Sequence, residues 1–239
     1  MEFRKLKANE IDCRVAQIDK GWCTLLLYKD ARVDQNILDE TVGAMNWQKR
    51  YTRDNANCIV GIWDSEKNQW VEKEDTGTES ATEAEKGLAS DSFKRACFNW
   101  GIGRELYTAP TIFITPRKDM VKQSKDEEPK EFFLNDKGKY TTKTRFYVDY
   151  IDYDDNGIKN LVIRDHKGHG RFEQLTKEKE DEFNKQFEKL IKLIEANEDK
   201  DDNFNREQFY KYFNVESNDQ LNFSQRDKAI KLLEKRLKK

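Results

Sequence analysis

Apolar and polar positions alternate over residues 11–17 and again over 21–29, on either side of Asp19-Lys20-Gly21. A period of two interrupted by a polar turn predicts a β-hairpin. Between 32 and 45 the period lengthens, with Val33, Ile37, Leu38, Val42 and Met45 recurring at helical intervals. That spacing predicts an amphipathic helix. Strands are predicted near 47–53, 57–64 and 69–76, separated by short polar turns. A helix over 81–100 follows. Ser80-Ala81-Thr82-Glu83 reads as its capping box, Leu88, Phe93, Ala96, Cys97 and Trp100 as its apolar side, and Gly101 as its stop.

Beyond that helix the pattern changes. Thr111–Thr115 predicts a short strand, whereas Pro116 to Tyr140 is polar and charged and is expected to be a mobile loop. Residues 142–153 and 158–164 predict a second hairpin, with Asp155-Asn156-Gly157 as a type I′ turn. In 177–197, Phe183, Phe187, Leu190, Ile191 and Ile194 fall on one helical face. The run Glu198-Asp199-Lys200-Asp201-Asp202 reads as a linker. Two short helices are expected near 205–213 and 224–237, the second opened by Ser224-Gln225-Arg226-Asp227. Phe209, Tyr212, Phe213, Leu221, Phe223, Ile230, Leu233 and Leu237 would close a helical mini-domain. The fold class is therefore α+β, with a core over 1–175 and a helical C-terminal region over 176–239. That region would either pack on the core or dock a partner protein.

The chain has 239 residues, enough for one good core and a small appendage. Its 38% charged residues, three prolines and strongly polar balance fit an intracellular type. No apolar run approaches the roughly 20 residues of a membrane span. The start, MEFRKLKANE, lacks the apolar segment of a signal peptide. Cys13, Cys23, Cys58 and Cys97 fall singly, without CxxC spacing, and are expected to be reduced core thiols in a cytoplasm. Lys and Arg number 44 against 46 Asp and Glu, so the formal net charge is −2 and no third of the chain is markedly basic. That excludes a histone-like or sliding binder. A protein gripping a strand in a defined groove needs only a few placed cations, repeated around an oligomer.

The chemistry concentrates in KGLASDSFKRACFNWGIGRELY, residues 86–107. Small residues at Ala84, Gly87, Ala89, Ser90, Ser92 and Ala96 allow close backbone approach, so Lys94 and Arg95 are expected at the floor of something narrow. Asp91, one turn earlier, is placed to orient either cation. This segment resembles the core of the Rad-fifty-two superfamily of single-strand annealing proteins, particularly the phage and bacterial Sak-type members. Their pattern runs approximately K-G-A-x-S-D-A-F-K-R-A-x-x-x-[FW]-G-I-G-R-x-L-Y. Lys86, Gly87, Ser90, Asp91, Phe93, Lys94, Arg95, Ala96, Trp100, Gly101, Ile102, Gly103, Arg104, Leu106 and Tyr107 match it. Upstream pieces follow in order: Ile11-Asp12-Cys13-Arg14-Val15, Tyr28-Lys29-Asp30-Ala31-Arg32 and Asn46-Trp47-Gln48. The resemblance covers roughly residues 1 to 115, and for the C-terminal region beyond it the partner to expect is a nuclease or a single-strand-binding protein.

It implies a curved antiparallel sheet packed on a long central helix, in the order β-β-α-β-β-β-α, and protomers assembled in rings or filaments. It also implies an ATP-independent, non-enzymatic protein that binds single-stranded DNA and anneals it in recombination or repair, without cofactor or metal, in a bacterial or phage-infected cytoplasm. Annealing needs base edges left free, which phosphate contacts permit. Lys94 and Arg95 suit that task, and the resemblance adds Arg14. Some relatives carry a further cation one turn after the pair, where this chain has Phe98 or Asn99. The grip is then weaker, or shared with Lys49, Arg50 and Arg104, while Trp47 and Tyr51 read as core aromatics.

Other constellations are weaker. Asp152-Tyr-Asp154-Asp-Asn156-Gly157 begins like an EF-hand loop but has Ile163 at the twelfth position. His166 and His169 would need distant cysteines to hold zinc. Gly138-Lys139 lacks the preceding glycine of a nucleotide loop. Asp64, Glu72 and Glu74 supply the alternative function, a metal-dependent nuclease. A recombination scaffold without its own DNA activity is the other.

Overall fold

A computed structural model describes residues 1–78, 84–117, 131–201 and 204–238. The chain is α+β and forms two compact units, Met1–Ile11 with Tyr28–Ala109, and Asp12–Leu27 with Pro110–Lys239.

In the first unit Asp30 accepts a hydrogen bond from the Arg32 amide and so caps α1 (Ala31–Val42). Gly43, at φ 84°, ends the helix earlier than expected and leaves Met45 exposed. Three antiparallel strands follow in spatial order β3 (Trp47–Thr52), β4 (Asn57–Asp64) and β5 (Gln69–Thr76). The β3–β4 turn holds Arg53, Asp54 and Asn55 at positive φ. Next comes α2 (Ala84–Trp100), while its expected capping box at 80–83 lies outside the described residues.

Helix α2 packs on β4 and β5 through Phe93, Ala96 and Cys97, all fully buried, and Trp100 donates from Nε1 to the Val60 carbonyl at 3.0 Å. The small residues do allow close approach, and what approaches is Gly77, just past β5. A Cβ there would sit 2.6 Å from the Ser92 amide nitrogen and 2.7 Å from the Leu88 carbonyl oxygen. Ser92 itself donates to the Asn55 carbonyl at 3.1 Å, tying the helix to the β3–β4 turn.

In the second unit the first hairpin, β1 (Asp12–Asp19) and β2 (Trp22–Tyr28), joins a six-stranded antiparallel sheet of order β11-β10-β9-β1-β2-β6. Its other strands are β6 (Ile112–Ile114), β9 (Phe146–Asp154), β10 (Gly157–Asp165) and β11 (Gly170–Gln174). The order β1-β2-α1-β3-β4-β5-α2 is thus as expected, with its strands shared between two sheets. Register shifts along β10 bend the larger sheet. Its two edges approach closure, where Arg171 of β11 donates to the Thr115 carbonyl just beyond β6 at 2.8 Å.

Several local expectations need correction. Gly157 already pairs with Asp154, so the β9–β10 turn is Asp155-Asn156. Neither of those has positive φ, which a type I′ turn requires, and only Gly157 does. Of the expected 116–140 loop, residues 118–130 lie outside the described residues, while 131 onward is ordered into β7 (Phe132–Leu134), paired with β8 (Tyr140–Thr142). Phe132 is fully buried there, and Glu131 is held by Arg171 and by the Thr144 hydroxyl. Strand β11 was not foreseen, because HKGHGRFEQ lacks a run of strand-forming apolar residues.

The C-terminal helices are α3 (Lys177–Lys200), α4 (Arg206–Tyr212) and α5 (Phe223–Leu237). Helix α3 runs through most of the expected linker, since Asn197, fully buried, donates to the Leu233 carbonyl of α5 and locks that end. Asn222 with Gln225, and not Ser224, forms the capping box of α5. Leu190, Ile194, Phe213, Leu221, Ala229, Ile230 and Leu233 build one apolar cluster. These helices belong to the same compact unit as the six-stranded sheet, and the chain does not divide at 175/176. Tyr150 of β9 packs on Phe183 and Phe223, and Arg164, paired with Asp149 at 2.6 Å, donates to the Asp219 carbonyl. Among the described residues, no helix is long and apolar enough to cross a membrane.

The contact at Gly77 is testable. Gly77→Ala forces backbone apart and should destabilise the protein by about 1–3 kcal/mol, as overpacking does. Gly21→Ala, with nothing within 4 Å of the added carbon, is the control. Equal urea midpoints for the two variants would refute the close packing.

Candidate nucleic-acid interface

The helix-facing side of the three-stranded sheet carries Trp47, Ile62 and Val71 in one cross-strand row, then Lys49, Val60 and Lys73, then Tyr51, Cys58 and Asp75. Helix α2 covers these rows, so its outward face is set by what it buries. Phe93, Ala96 and Cys97 are buried, Asp91, Lys94 and Phe98 are half-buried, and Arg95 is exposed.

Lys94 and Arg95 follow one another on α2, Lys94 half-buried toward Asp30 and Asp34 and Arg95 exposed beside β5. Arg95 is exposed and its Nε lies 3.2 Å from Asp75. The expected partner Asp91 instead accepts from the Thr78 amide and hydroxyl, at 2.9 and 3.2 Å. Lys94 is half-buried and makes no ion pair among the described residues, but it lies in the field of Asp30 and Asp34. Lys49 sits 4.4 Å over the ring of Phe93, the residue before Lys94, with no carboxylate at contact distance among the described residues. Lys49 thus lies on the sheet-facing side of α2, over the buried Phe93.

The other expected cations stand apart. Arg50 points to the opposite face of the sheet and pairs with Glu72 at 2.8 Å, because neighbouring residues on a strand face opposite ways. Arg104 donates to the Phe98 and Asn99 carbonyls at 2.8 and 2.9 Å, occupying the unpaired acceptors at the C-terminus of α2. Lys73 joins it there, donating to the Asn99 carbonyl at 2.8 Å and lying over the Trp100 ring. Arg14 lies on β1 in the other compact unit, exposed. Trp47, stacked on Phe93, is a packing residue as expected.

Behind the pair lies a group the sequence reading quoted only as part of a motif. Lys29 and Asp34 form an ion pair, both buried, and the second Asp34 oxygen has no partner among the described residues. Gly103, at φ 77°, makes room for it, because a Cβ there would come 2.3 Å from the Lys29 Cε. The Gly101-Ile102-Gly103 corner therefore does more than end a helix: it seats the stem of a buried lysine. Burial pushes the Asp34 carboxyl up to about 6, against the opposing effects of Lys29 and Lys94. Burial likewise pushes the Cys97 thiol well up, and among the four unpaired cysteines it fits an inert core thiol.

Asp64, Glu72 and Glu74 take separate partners: Asp64 the amides of its own turn, Glu72 Arg50, and Glu74 Asn57. Among the described residues no group of three or more His, Cys, Asp or Glu side chains is arranged to hold a metal. His166 accepts from the Arg145 amide, while His169 contacts Asp165 and Gln220. No protein-family model, curated protein or solved structure matches this chain.

The Asp34 site yields a pH prediction. The folded protein holds this proton more tightly than the unfolded chain, where the carboxyl titrates near 3.8. Stability contributed by the group is therefore full below about pH 4 and is lost as pH rises through about 6. Carbon-detected NMR of the Asp34 carboxyl should give a midpoint near 6, whereas a midpoint at or below 4 would contradict its burial.

Proposed function

We propose that this chain is an ATP-independent single-stranded DNA-binding and annealing protein, acting as an oligomer in recombination or repair. The observation that carries the reading is the consecutive pair Lys94 and Arg95 on a closely packed helix, Arg95 exposed and Lys94 without an ion pair among the described residues. Arg95 is itself exposed and its ion pair with the half-buried Asp75 is worth about 1 kcal/mol, so it can exchange that partner for a phosphate at little cost. Lys94 has no ion pair to give up among the described residues. The order β-β-α-β-β-β-α and the motif over 86–107 support the reading further, through the resemblance to the Rad-fifty-two superfamily.

Contacts to phosphate hold a strand without reading sequence and without covering base edges. A complementary strand can then pair while the first remains bound. With a net charge of −2, one chain has no positive excess, so repetition of the placed cations around an oligomer supplies the continuous grip. Lys29 and Asp34 act on this site indirectly: buried and paired, they add no net charge, yet Asp34 faces Lys94 from behind and biases where that ammonium rests.

Mixing complementary labelled oligonucleotides with the protein, without ATP or metal, should speed duplex formation. Cleavage that appears only with Mg²⁺, and no annealing, would overturn the proposal. Lys94→Ala with Arg95→Ala should weaken single-strand binding roughly tenfold or more. The same pair should reduce a salt slope of about −0.7 per phosphate neutralised. Arg50→Ala, on the opposite sheet face, should change affinity less than about twofold, within the small effect of an exposed pair. An unchanged affinity in the double variant retires the site.

A further inference from the structure

One turn beyond the cation pair, where some relatives of the resembled family carry a further cation, this chain holds an aromatic pair. Phe98 lies at i+4 from Lys94 and i+3 from Arg95, on the same face of α2. Tyr107 packs against it, with ring centroids 4.7 Å apart and planes at 56°. Tyr107 is nevertheless 75% exposed, so one side of a large ring faces water. Such a ring gains by taking an apolar or aromatic partner.

The ring is also held in place. Its 3-10 turn, Arg104–Thr108, starts from the left-handed Gly103 and is anchored by Glu105, which is buried and accepts from the Leu6 amide at 2.7 Å. The Thr108 hydroxyl closes the turn onto the Glu105 carbonyl at 2.6 Å. Phe98 is backed by the Arg104 guanidinium, 5.5 Å from its centroid, while Arg104 is itself fixed to the last carbonyls of α2. The backbone turn that carries Tyr107 is thus ordered before a ligand arrives, so less freedom is lost on stacking.

We infer that Tyr107, supported by Phe98, is a stacking platform for one nucleobase of the strand whose phosphates Lys94 and Arg95 hold. The inference rests on the phosphate-grip reading above and adds its base contact. The spacing favours a nucleotide over a protein side chain. One helical turn, about 5.4 Å, separates the cations from Phe98, against which Tyr107 packs, comparable to the reach from a nucleotide's phosphate to its base. Cations flanking an exposed ring are the combination by which proteins hold single strands without sequence preference. The platform is compatible with annealing, because stacking occupies the face of a base and leaves its pairing edge open. One ring per chain engages one base per protomer, and its neighbours stay free.

The experiment compares a thymidine oligonucleotide with a base-free deoxyribose phosphate strand of equal length, by fluorescence anisotropy on the full chain. Tyr107→Ala should lose roughly 5- to 100-fold in affinity for the thymidine strand, the loss typical of one stacked base. It should bind the base-free strand as wild type does, and Tyr107→Trp should restore binding to the thymidine strand. Wild-type affinity in Tyr107→Ala would overturn the platform, as would an equal loss on both strands. A loss accompanied by a changed oligomer size in sedimentation velocity would also overturn it, by making Tyr107 a contact between copies. If wild type binds both strands equally and with a steep salt dependence, the phosphate grip stands and only the platform falls. If wild type binds neither strand, both fall.

Discussion

Helix α2 can lie on β4 and β5 only because almost nothing separates its backbone from Gly77. With Gly77 against the Leu88 carbonyl and the Ser92 amide, the helix has one rotation about its axis in which no side chain intervenes. That rotation buries Phe93, Ala96 and Cys97, keeps Lys94 and Phe98 half-buried and leaves Arg95 exposed. The placement of Lys94 and Arg95 descends from this contact. A bulkier residue at any of these small positions would tilt the helix and carry the pair with it.

A second constraint sits at the end of the same helix. Burying Lys29 and Asp34 is unfavourable unless each has the other, since a lone buried charge carries a large desolvation penalty. Gly103 makes the pairing possible by leaving room for the lysine stem. The glycine corner, Arg104 and Lys73 together satisfy the helix terminus, seat the buried pair and orient the turn that presents Tyr107. Capping, charge burial and ring presentation are therefore mechanically linked within a few residues. That linkage explains why GIGRELY reads as a unit in the sequence although its residues do different jobs.

The second compact unit follows a different logic. Its six-stranded sheet bends until its edges meet near Arg171, where Glu131 and Asp165 neutralise a guanidinium with almost no exposed surface. The C-terminal helices cover part of this unit through Tyr150, Phe183 and Phe223, and Arg164 with Asp149 ties them to the sheet by way of Asp219 and Phe223. Packing is the role the contacts establish for them.

Periodicity alone determined most of the elements. The first hairpin, α1, β3 to β5, α2, the 146–165 hairpin and the three tail helices follow from local spacing, because side-chain period reports whether backbone winds or extends. Local chemistry also marked Lys94 and Arg95 as a pair. What it did not fix was everything that depends on which backbone lies beside which. The hairpin β7–β8 and strand β11 owe their order to partners such as Arg171 and Glu131, which are 40 residues apart. Arg50 and Lys49 are neighbours in sequence yet opposed on the sheet, and Arg104 is taken up by carbonyls that exist only once α2 ends where it does. Asp91 yields to Asp75 as the partner of Arg95 for the same reason: helical spacing shows which acid is near along the chain, and only the folded sheet decides which acid arrives across it.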